Sequence, residues 1–356
     1  MKPPERLKRL FRGMKSRFDA IVILSPENVR YFSGFTGTAG AILATHTEAH
    51  FFTDPRYELQ SYEHVKGFVI HIVRNEDSLK VMSSLAKKWK VRALGVEEAH
   101  LTIQEKERVC SRMEKVRLVP IQKVIGRLRV IKDQSEIARI SKACAISDRG
   151  LGAVLQWIRP GVAEREIAEE LEYQMRKAGG SKLAFDTIVA SGHRAALPHG
   201  IASSKKLEKG DFVVIDFGAE FEEYKADITR TFILGSPTSR QKKVWKAVQE
   251  SQQRGIQSVR AGILCKKIDR QCRDVLRKYS LEKYFTHGTG HGVGLDIHES
   301  PTLSLKSVDR LKAGMVVTVE PGVYIKRWGG VRIEDMLLVT RNGATPLTQS
   351  PKVMSL

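Results

Sequence analysis

Short apolar runs alternate with a helical pattern over the first third of the chain. The runs AIVIL (20–24), AGAILA (39–44), AHFFT (49–53) and FVIHIV (68–73) are typical of strands. The stretch SLKVMSSLAKKWK (78–90) has the spacing of a helix with one apolar face. We therefore predict a small α/β domain over residues 1–125.

The pattern changes near residue 126, where longer helical stretches begin. Asp133 and Glu136 have the spacing of a capping box, and the helix that follows is predicted to end at Pro160–Gly161. A second helix over 163–178 is predicted to stop at Gly179–Gly180. Further helices are predicted at about 240–260 and 266–279, among strands at about 185–190, 211–217, 225–233, 314–320 and 331–339. This mixture predicts a second, α+β domain over residues 126–356.

The second domain contains a weak internal repeat. LEKGDFVVIDFG (207–218) aligns with LKAGMVVTVEPG (311–322) at four identical positions, and Asp216 falls on Glu320. In each copy an apolar strand ends in an acid, a turn containing glycine follows, and a second acid comes later. That second acid is Asp227 in the first copy and Glu334 in the second. The matching acids predict a site with approximate two-fold symmetry.

These four acids are expected to converge. A hairpin turn centred between Phe221 and Glu222 would place Asp216 opposite Asp227, with Cβ atoms about 5 Å apart. The longer loop between the two acids of the second copy is expected to be irregular or bulged, although both can still point to one face. Acids directly after buried strands are unusual as ordinary surface residues, and carboxylates this close need a cation between them.

The amino-acid composition argues against some classes of protein but does not identify the function. With 42% hydrophobic and 28% charged residues in 356, the chain has the profile of a globular protein, and no apolar run reaches the length of a membrane span. The four cysteines show no CxxC spacing and the N-terminus shows no signal-peptide pattern, so we expect reduced thiols and a cytoplasmic protein. The net charge of +20 is scattered without a nucleic-acid-binding motif. We expect a solvated basic surface, with an anionic partner as the less favoured alternative.

Metal ions best supply the positive charge that the acids need. Four carboxylates carry a charge of about −4, which two divalent ions cancel, and mixed oxygen and nitrogen ligands favour Mn²⁺, Co²⁺ or Fe²⁺ over a thiolate zinc site. The stretch HGTGHGVGLDIHE (287–299) supplies His287, His291 and His298, and its glycines argue against a helical HExxH site. His199, in ALPHG, is a further candidate.

These stretches resemble one peptidase superfamily. IDFGAEFEEYKADITRT, HGTGHGVGLDIHE, VEPGVY and VRIEDMLLV occur in the order and spacing of the metal-dependent aminopeptidase P, prolidase and methionine aminopeptidase superfamily. VRYFSGFTGTAG and FFTDPRY resemble the extra domain of its aminopeptidase P and prolidase branch. The resemblance covers nearly the whole chain. It implies a pita-bread catalytic domain over 126–356 and a creatinase/prolidase-type domain over 1–125.

The resemblance also implies roles for nine residues. It implies two divalent ions, Mn²⁺ first and Co²⁺, Zn²⁺ or Fe²⁺ as alternatives, with Asp216 on one ion, His291 and Glu320 on the other, and Asp227 and Glu334 bridging both. It implies catalytic roles for His199, His298 and Glu320, and supporting hydrogen bonds from His287 and Arg332. None of the five ligand positions is substituted, which argues against creatinase, a relative that shares the fold without metals.

The implied reaction is hydrolysis of the bond before a proline in second position. Two divalent ions lower the pKa of a shared water from about 15.7 towards roughly 7, which provides hydroxide for attack. Glu320 is expected to take the proton of this water, and His298 or His199 to help deliver a proton to the leaving nitrogen.

One residue bears on substrate length. In the prolidase branch an Arg commonly lies four residues after the histidine matching His298, in HExPR, where it suits the free carboxylate of a dipeptide. This chain reads HESPT, with Thr302 in that place. We therefore predict an Xaa-Pro aminopeptidase acting at the N-terminus of peptides, with Xaa-Pro dipeptidase (prolidase) as the alternative. Lys306 or Arg310 could still supply the missing cation.

Two other classes of function stay open. One is a non-catalytic binding protein on the same fold, and the other is a hydrolase or amidinohydrolase of the creatinase type acting on a small C–N substrate. The expected partners are peptides with proline in second position and, from the family, a second copy of the chain in a homodimer. Neither a membrane nor a nucleic acid is an expected partner.

Overall fold

Residues 4–12, 14, 17–74, 78–113 and 116–356 are described by a computed structural model of the chain. It separates into two units that make most of their contacts internally, a first unit over residues 1–129 and a second unit over residues 130–356. Among the described residues, no helix combines the length and the apolar character needed to cross a membrane.

The first unit is built on one mixed six-stranded sheet with the strand order β4-β3-β2-β1-β5-β6. Its strands are Ala20–Ile23 (β1), Ala41–Thr45 (β2), Ala49–Thr53 (β3), Val69–Ile72 (β4), Ala93–Val96 (β5) and Arg117–Pro120 (β6). Its helices are Glu5–Arg12 (α1), Pro26–Ser33 (α2), Glu58–His64 (α3), Ser78–Lys88 (α4), Ile103–Arg112 (α5) and Gln122–Arg129 (α6), with a 3₁₀ turn at Pro55–Tyr57. Parallel pairs such as β3/β4 and β5/β6 need crossovers, which α3 and α5 provide.

The second unit contains four long helices and thirteen short strands within its described residues. The helices are Gln134–Val154 (α7), Glu164–Lys177 (α8), Ser239–Ser258 (α9) and Cys265–Lys278 (α10), with 3₁₀ turns at Leu155–Trp157, Gly192–Ala196 and Glu282–Tyr284. The strands are Lys182–Leu183 (β7), Ile188–Ser191 (β8), Phe212–Phe217 (β9), Ala219–Phe221 (β10), Tyr224–Lys225 (β11), Ile228–Ile233 (β12), Gly290–Gly292 (β13), Glu299–Leu303 (β14), Val316–Val319 (β15), Gly322–Ile325 (β16), Gly329–Arg332 (β17), Asp335–Val339 (β18) and Ala344–Pro346 (β19).

The internal repeat is visible as two similar halves of the second unit. β9 lies between β8 and β12, and β15 lies between β13 and β18, in both cases with antiparallel neighbours. A packed helix pair precedes each set of strands, α7 with α8 and α9 with α10. The aligned glycines Gly210 and Gly314 have φ values of 91° and 87°, which explains why glycine stands at both positions. Two apolar clusters support these strands: one contains Val213, and the other contains Val317 together with Phe212 and Val214 of the first half.

The first hairpin has a different register from the one predicted. Its turn is centred on Glu222–Glu223, both with positive φ, so Asp216 lies opposite Thr229 instead of Asp227. The shift is two residues, and Asp227 therefore stays on the same face of the strand as Thr229. Gly218 permits this register, because a Cβ there would lie 1.9 Å from the carbonyl oxygen of Ala226.

The second hairpin is more regular than predicted. Residues 322–325 and 329–332 form a β16/β17 hairpin, and the pairs Val319–Asp335 and Gly322–Arg332 belong to one constant register. Glu320 and Glu334 therefore face each other. The strand predicted over 331–339 is interrupted at 333–334, because the N–H of Glu334 donates to the carbonyl of Thr229 in the other half.

Other predicted boundaries differ at helix ends and in the first unit. The capping box at Asp133 and Glu136 is present, but α7 ends at Val154 and a 3₁₀ turn replaces its predicted last residues. Sequence patterning missed β5 and β6, which are short, and it missed five short helices, α1, α2, α3, α5 and α6. The predicted order, a smaller α/β unit followed by a larger α+β unit, is the one observed.

Candidate metal centre and active site

A pocket of about 880 Å³ in the second unit brings the predicted residues together. Its wall contains all nine of them: His199, Asp216, Asp227, His287, His291, His298, Glu320, Arg332 and Glu334. They come from both halves of the repeat, with two acids from each half. The closing of one half on the other therefore builds the site.

The deepest part of the pocket is a cluster of acids around one histidine. Ligand atoms of Asp227, His291 and Glu334 lie within 4.8 Å of one another. Nε2 of His291 is 3.3 Å from Oε1 of Glu320 and 3.6 Å from Oδ2 of Asp227. The Nδ1–H of His291 donates to the carbonyl of Gly292 at 3.0 Å, which leaves Nε2 directed at the acids.

Two buried oxygens in this cluster fit a metal centre. Oδ1 of Asp216 and Oε1 of Glu334 have no hydrogen-bond partner among the described residues. Buried carboxylate oxygens are ordinarily paired, because an unpaired one loses its hydration without compensation. A divalent cation is the partner that this donor set suits, since it binds carboxylate oxygen and imidazole nitrogen together.

The negative charges of the clustered acids repel one another, and this repulsion raises the pKa values of two of them. Burial raises the pKa of Asp227 well above its ordinary value, and the charges of Glu334 and Asp216 raise it further. Burial and the charge of Glu320 likewise raise the pKa of Glu334 well above its ordinary value. Without a metal the pocket therefore favours protonated carboxyls. Binding of divalent cations would release those protons.

Glu320 behaves differently from the other acids. Burial tends to raise its pKa, but the hydrogen bond with His291 and the nearby positive charges lower the pKa to about 2. Burial correspondingly tends to lower the pKa of His291, and the bond to Glu320 raises it overall. The bond to Glu320 therefore favours the protonated form of His291 in the metal-free arrangement, whereas a metal ligand would have to be neutral.

Arg332 is a protein cation within the site. It is 3% exposed, and its Nη2 donates to Oδ2 of Asp216 at 2.5 Å. Its Nε donates to Oγ1 of Thr229 at 2.9 Å, and that hydroxyl donates to Oε2 of Glu334 at 2.6 Å. Arg332 therefore offsets one of the four carboxylates and, directly or through Thr229, orients two of them.

Tyr324 joins this network and was missed by sequence reasoning. Its hydroxyl accepts from Nη1 of Arg332 at 2.8 Å and lies 2.9 Å from Nε2 of His287. Burial raises the pKa of Tyr324 to about 12, so the hydroxyl keeps its proton. The Nδ1–H of His287 donates to the carbonyl of Gly288, which leaves Nε2 to accept a hydrogen bond from the Tyr324 hydroxyl. Burial lowers the pKa of His287. The only sequence signal was its place at the end of the VEPGVY stretch.

Met336 is a second residue that the sequence did not reveal. It is fully buried, and its Sδ accepts from the backbone N–H of Asp227 at 3.0 Å. Sδ also lies 3.6 Å from Sγ of Cys144 on α7. A thioether is a weak but polarisable acceptor, so Met336 helps to hold the backbone that carries Asp227.

Two histidines stand at the mouth of the pocket. His298 and His199 are exposed and line the wall, and the ring centroid of His298 is 4.4 Å from that of His291. Burial and the nearby His291 lower the pKa of His298, which favours its neutral form. Both side chains are accessible to a ligand, whereas the five predicted metal ligands lie deeper.

The wall of the pocket contains little free positive charge. Among its described residues the only Lys or Arg is Arg332, whose guanidinium is already engaged. Thr302 lies on β14 directly opposite His291 and lines the pocket. Lys306 and Arg310 are not part of this wall, and Nη1 of Arg310 donates to the carbonyl of Gly262.

Comparisons with known proteins agree with this geometry. Residues 138–341 match the sequence model of metallopeptidase family M24, and residues 6–131 match that of the creatinase/prolidase N-terminal domain. The chain is 40% identical to an Xaa-Pro dipeptidase of Pyrococcus furiosus, over 98% of this chain and 99% of that protein.

Solved structures of Xaa-Pro peptidases superpose on almost the whole chain, which confirms the predicted pita-bread fold class. An Xaa-Pro dipeptidase from Bacillus anthracis superposes with a TM-score of 0.96 at 40% identity, covering 99% of both chains. An X-Pro aminopeptidase from Thermotoga maritima superposes with a TM-score of 0.92 at 36% identity, covering 98% of this chain and 100% of that one. Both kinds of Xaa-Pro peptidase are thus represented among similar structures.

Proposed function

The chain belongs to metallopeptidase family M24, and from that membership we propose that it hydrolyses Xaa-Pro dipeptides as an Xaa-Pro dipeptidase. The observation that carries hydrolysis is the buried cluster of four carboxylates and His291 with its two unpartnered oxygens. The choice of substrate is supported by relatives named Xaa-Pro dipeptidase that are 40% and 38% identical along nearly the whole chain. This reverses the order of our sequence prediction, which favoured the aminopeptidase.

Family membership implies divalent metal ions, and we assign the ligands within the pocket. Asp216 would hold one ion, His291 and Glu320 would hold the other, and Asp227 and Glu334 would serve both. Mn²⁺ is our first choice, with Co²⁺, Zn²⁺ or Fe²⁺ as alternatives. When bound, the ions supply positive charge that polarises the scissile carbonyl and makes a nearby water more acidic.

The side chains of this chain divide the remaining work. The carboxylate of Glu320 would accept a proton from the attacking water. His298 and His199, exposed in the wall, contact the substrate and assist proton delivery to the leaving nitrogen. Arg332 and His287 keep the acids and Tyr324 in place.

Xaa-Pro aminopeptidase is the second candidate, and one observation favours it. Thr302 stands where a guanidinium would bind the free carboxylate of a dipeptide, and no unengaged Lys or Arg lines the described wall. A charge-assisted hydrogen bond of this kind contributes about 1.5–3 kcal/mol. A longer peptide has no carboxylate at that point and would not lose this contact.

The test is product analysis with metal-free protein to which Mn²⁺, Co²⁺ or Zn²⁺ is added. The value of kcat/KM for Ala-Pro is compared with that for Ala-Pro-Ala, with Ala-Ala as the control for proline dependence and Glu334→Ala as the inactive control. A higher value for Ala-Pro supports the dipeptidase. A preference for Ala-Pro-Ala by about tenfold or more would establish the second candidate, and cleavage of Ala-Ala alone would sink both.

Three further proposals concern the domain boundary, the assembly and the location of the protein. We propose that the functional boundary lies after residue 125, with a creatinase/prolidase-type domain before it and the catalytic domain after it. We also propose a homodimer and a cytoplasmic location. Size-exclusion chromatography with light scattering tests the dimer.

A further inference from the structure

Glu164, the first residue of α8, is a fully buried carboxylate outside the metal cluster. Such a group is costly unless donors surround it. Its oxygens accept from the N–H of Ser191 at 2.7 Å and its Oγ at 2.9 Å, and from the N–H of Ser203 at 3.1 Å and its Oγ at 2.6 Å. Nε of Arg194 donates at 3.0 Å. These donors compensate the buried charge.

All of these donors belong to the two ends of one loop. We call residues 192–202 the His199 loop; Ser191 and Ser203 flank it, and Arg194 lies within it. The loop has only a short 3₁₀ turn of its own, and its tip is exposed, with Leu197 at 49% and Ile201 at 70%. Ala195, near the start of the loop, is buried in an apolar cluster, whereas Leu197, His199 and Ile201 are exposed. The position of this exposed part therefore depends more on hydrogen-bonded anchors than on packing.

Helix capping does not account for Glu164. The N–H of Ala163 is bound by the side chain of Glu166 at 2.6 Å, and the N–H groups of Glu164 and Arg165 donate to the carbonyls of Lys205 and Ser203. Other groups therefore accept the hydrogen bonds of these backbone N–H groups at the start of α8. The Glu164 side chain accepts its own hydrogen bonds from Arg194 and from the two serines that flank the His199 loop. A second anchor acts at the tip, where Nη1 of Arg332 donates to the carbonyl of Pro198 at 3.0 Å.

We propose that Glu164 is a positioning residue that holds His199 in the wall of the pocket. It closes the base of the His199 loop while Arg332 holds the residue next to His199. This inference rests on the proposed function, in which His199 contacts the substrate. Glu164 itself lies behind the loop and acts only through it.

Glu164→Gln is the test variant, because the amide keeps the size but turns an NH₂ group towards donors. We expect kcat to fall by about tenfold, with metal stoichiometry unchanged and faster hydrogen exchange of the amides of residues 192–202. In a His199→Ala background the same change should lower kcat less than about twofold, since the residue that it positions is gone. Glu166→Gln, on the same helix but without contact to the loop, is the matched control and should leave kcat unchanged.

Equal losses of kcat in both backgrounds, or loss of bound metal, would overturn the proposal. If Glu164→Gln does not fold, Ser203→Ala removes one donor and should change exchange and kcat in the same direction to a smaller extent. Unchanged exchange in the His199 loop of either variant would also overturn it. Hydrogen exchange needs no substrate, so it tests whether Glu164 anchors the loop independently of any activity. If the protein cleaved no Xaa-Pro peptide, the proposed function would be refuted, but the exchange data would still decide whether Glu164 anchors the loop.

Discussion

Lys132→Met is expected to destabilise the second unit by about 3–5 kcal/mol, the usual cost of breaking a buried ion pair. Nζ of Lys132 lies 2.9 Å from Oε2 of Glu299, and the two side chains are only 2% and 7% exposed. Methionine has a similar length but no charge, so the carboxylate of Glu299 would lose its cation. The N–H of Asp296 also donates to Oε1, at 3.2 Å, but carries no full charge. The carboxylate also packs against Gly294, where a Cβ would lie 2.8 Å from each oxygen.

Two further variants separate charge from packing. Lys132→Met/Glu299→Gln removes both charges, and we expect it to cost only about 1–2 kcal/mol, the scale of an unsatisfied neutral group. Lys182→Met is the matched control, because Lys182 is 62% exposed and its Nζ lies 3.7 Å and 3.6 Å from Glu220 and Glu223. An exposed pair of this kind contributes about 0–1 kcal/mol.

Urea unfolding in EDTA, followed by tryptophan fluorescence, measures these free energies without a contribution from bound metal. Three of the four tryptophans, Trp157, Trp245 and Trp328, lie in the second unit and report on it. The reasoning would be refuted if Lys132→Met cost no more than Lys182→Met. It would also be refuted if the double variant lost as much unfolding free energy as Lys132→Met and Glu299→Gln lose together when measured separately.

Three other predictions concern the metal centre. Asp227→Ala should abolish turnover and lower bound Mn²⁺, measured by kinetics and elemental analysis; full metal occupancy would contradict a bridging role. His298→Ala should keep its metal and lower kcat by about 10²–10⁴, whereas loss of metal would identify it as a ligand. In metal-free protein the raised pKa values of Asp227 and Glu334 mean that the folded state binds more protons, so stability should fall as pH rises from about 4 through those pKa values. Urea unfolding at pH 5 and pH 8 checks this, with Mn²⁺ expected to reduce the fall; a gain in stability at pH 8 without metal is the opposite outcome.

The sequence by itself determined the two-domain order, most of the long elements and the chemistry of the site. Apolar periodicity and the capping box at Asp133 located α7, and the aligned glycines Gly210 and Gly314 marked the repeat. The acids at the ends of the repeated strands could be found because a carboxylate after a buried strand stands out locally. These signals need only neighbouring residues, which is why they are legible before folding.

Only the tertiary structure decided the register and the supporting contacts. Both residues of the turn at Glu222–Glu223 have positive φ, a conformation usually indicated in a sequence by Gly or Asn. The predicted register was therefore wrong by two residues, because no local signal marked this turn. The length of the substrate could not be predicted from one position either. Thr302 favours an Xaa-Pro aminopeptidase, whereas the relatives named Xaa-Pro dipeptidase favour a dipeptidase.

The network around the acids could not be derived from spacing either. Arg332 contacts Asp216 across 116 residues, and Thr229 contacts Glu334 across 105. Glu164 anchors a loop whose ends lie 27 and 39 residues away. Contacts of this kind exist only after distant segments of the second unit have packed, because it is burial that removes water and makes a carboxylate depend on a particular distant donor.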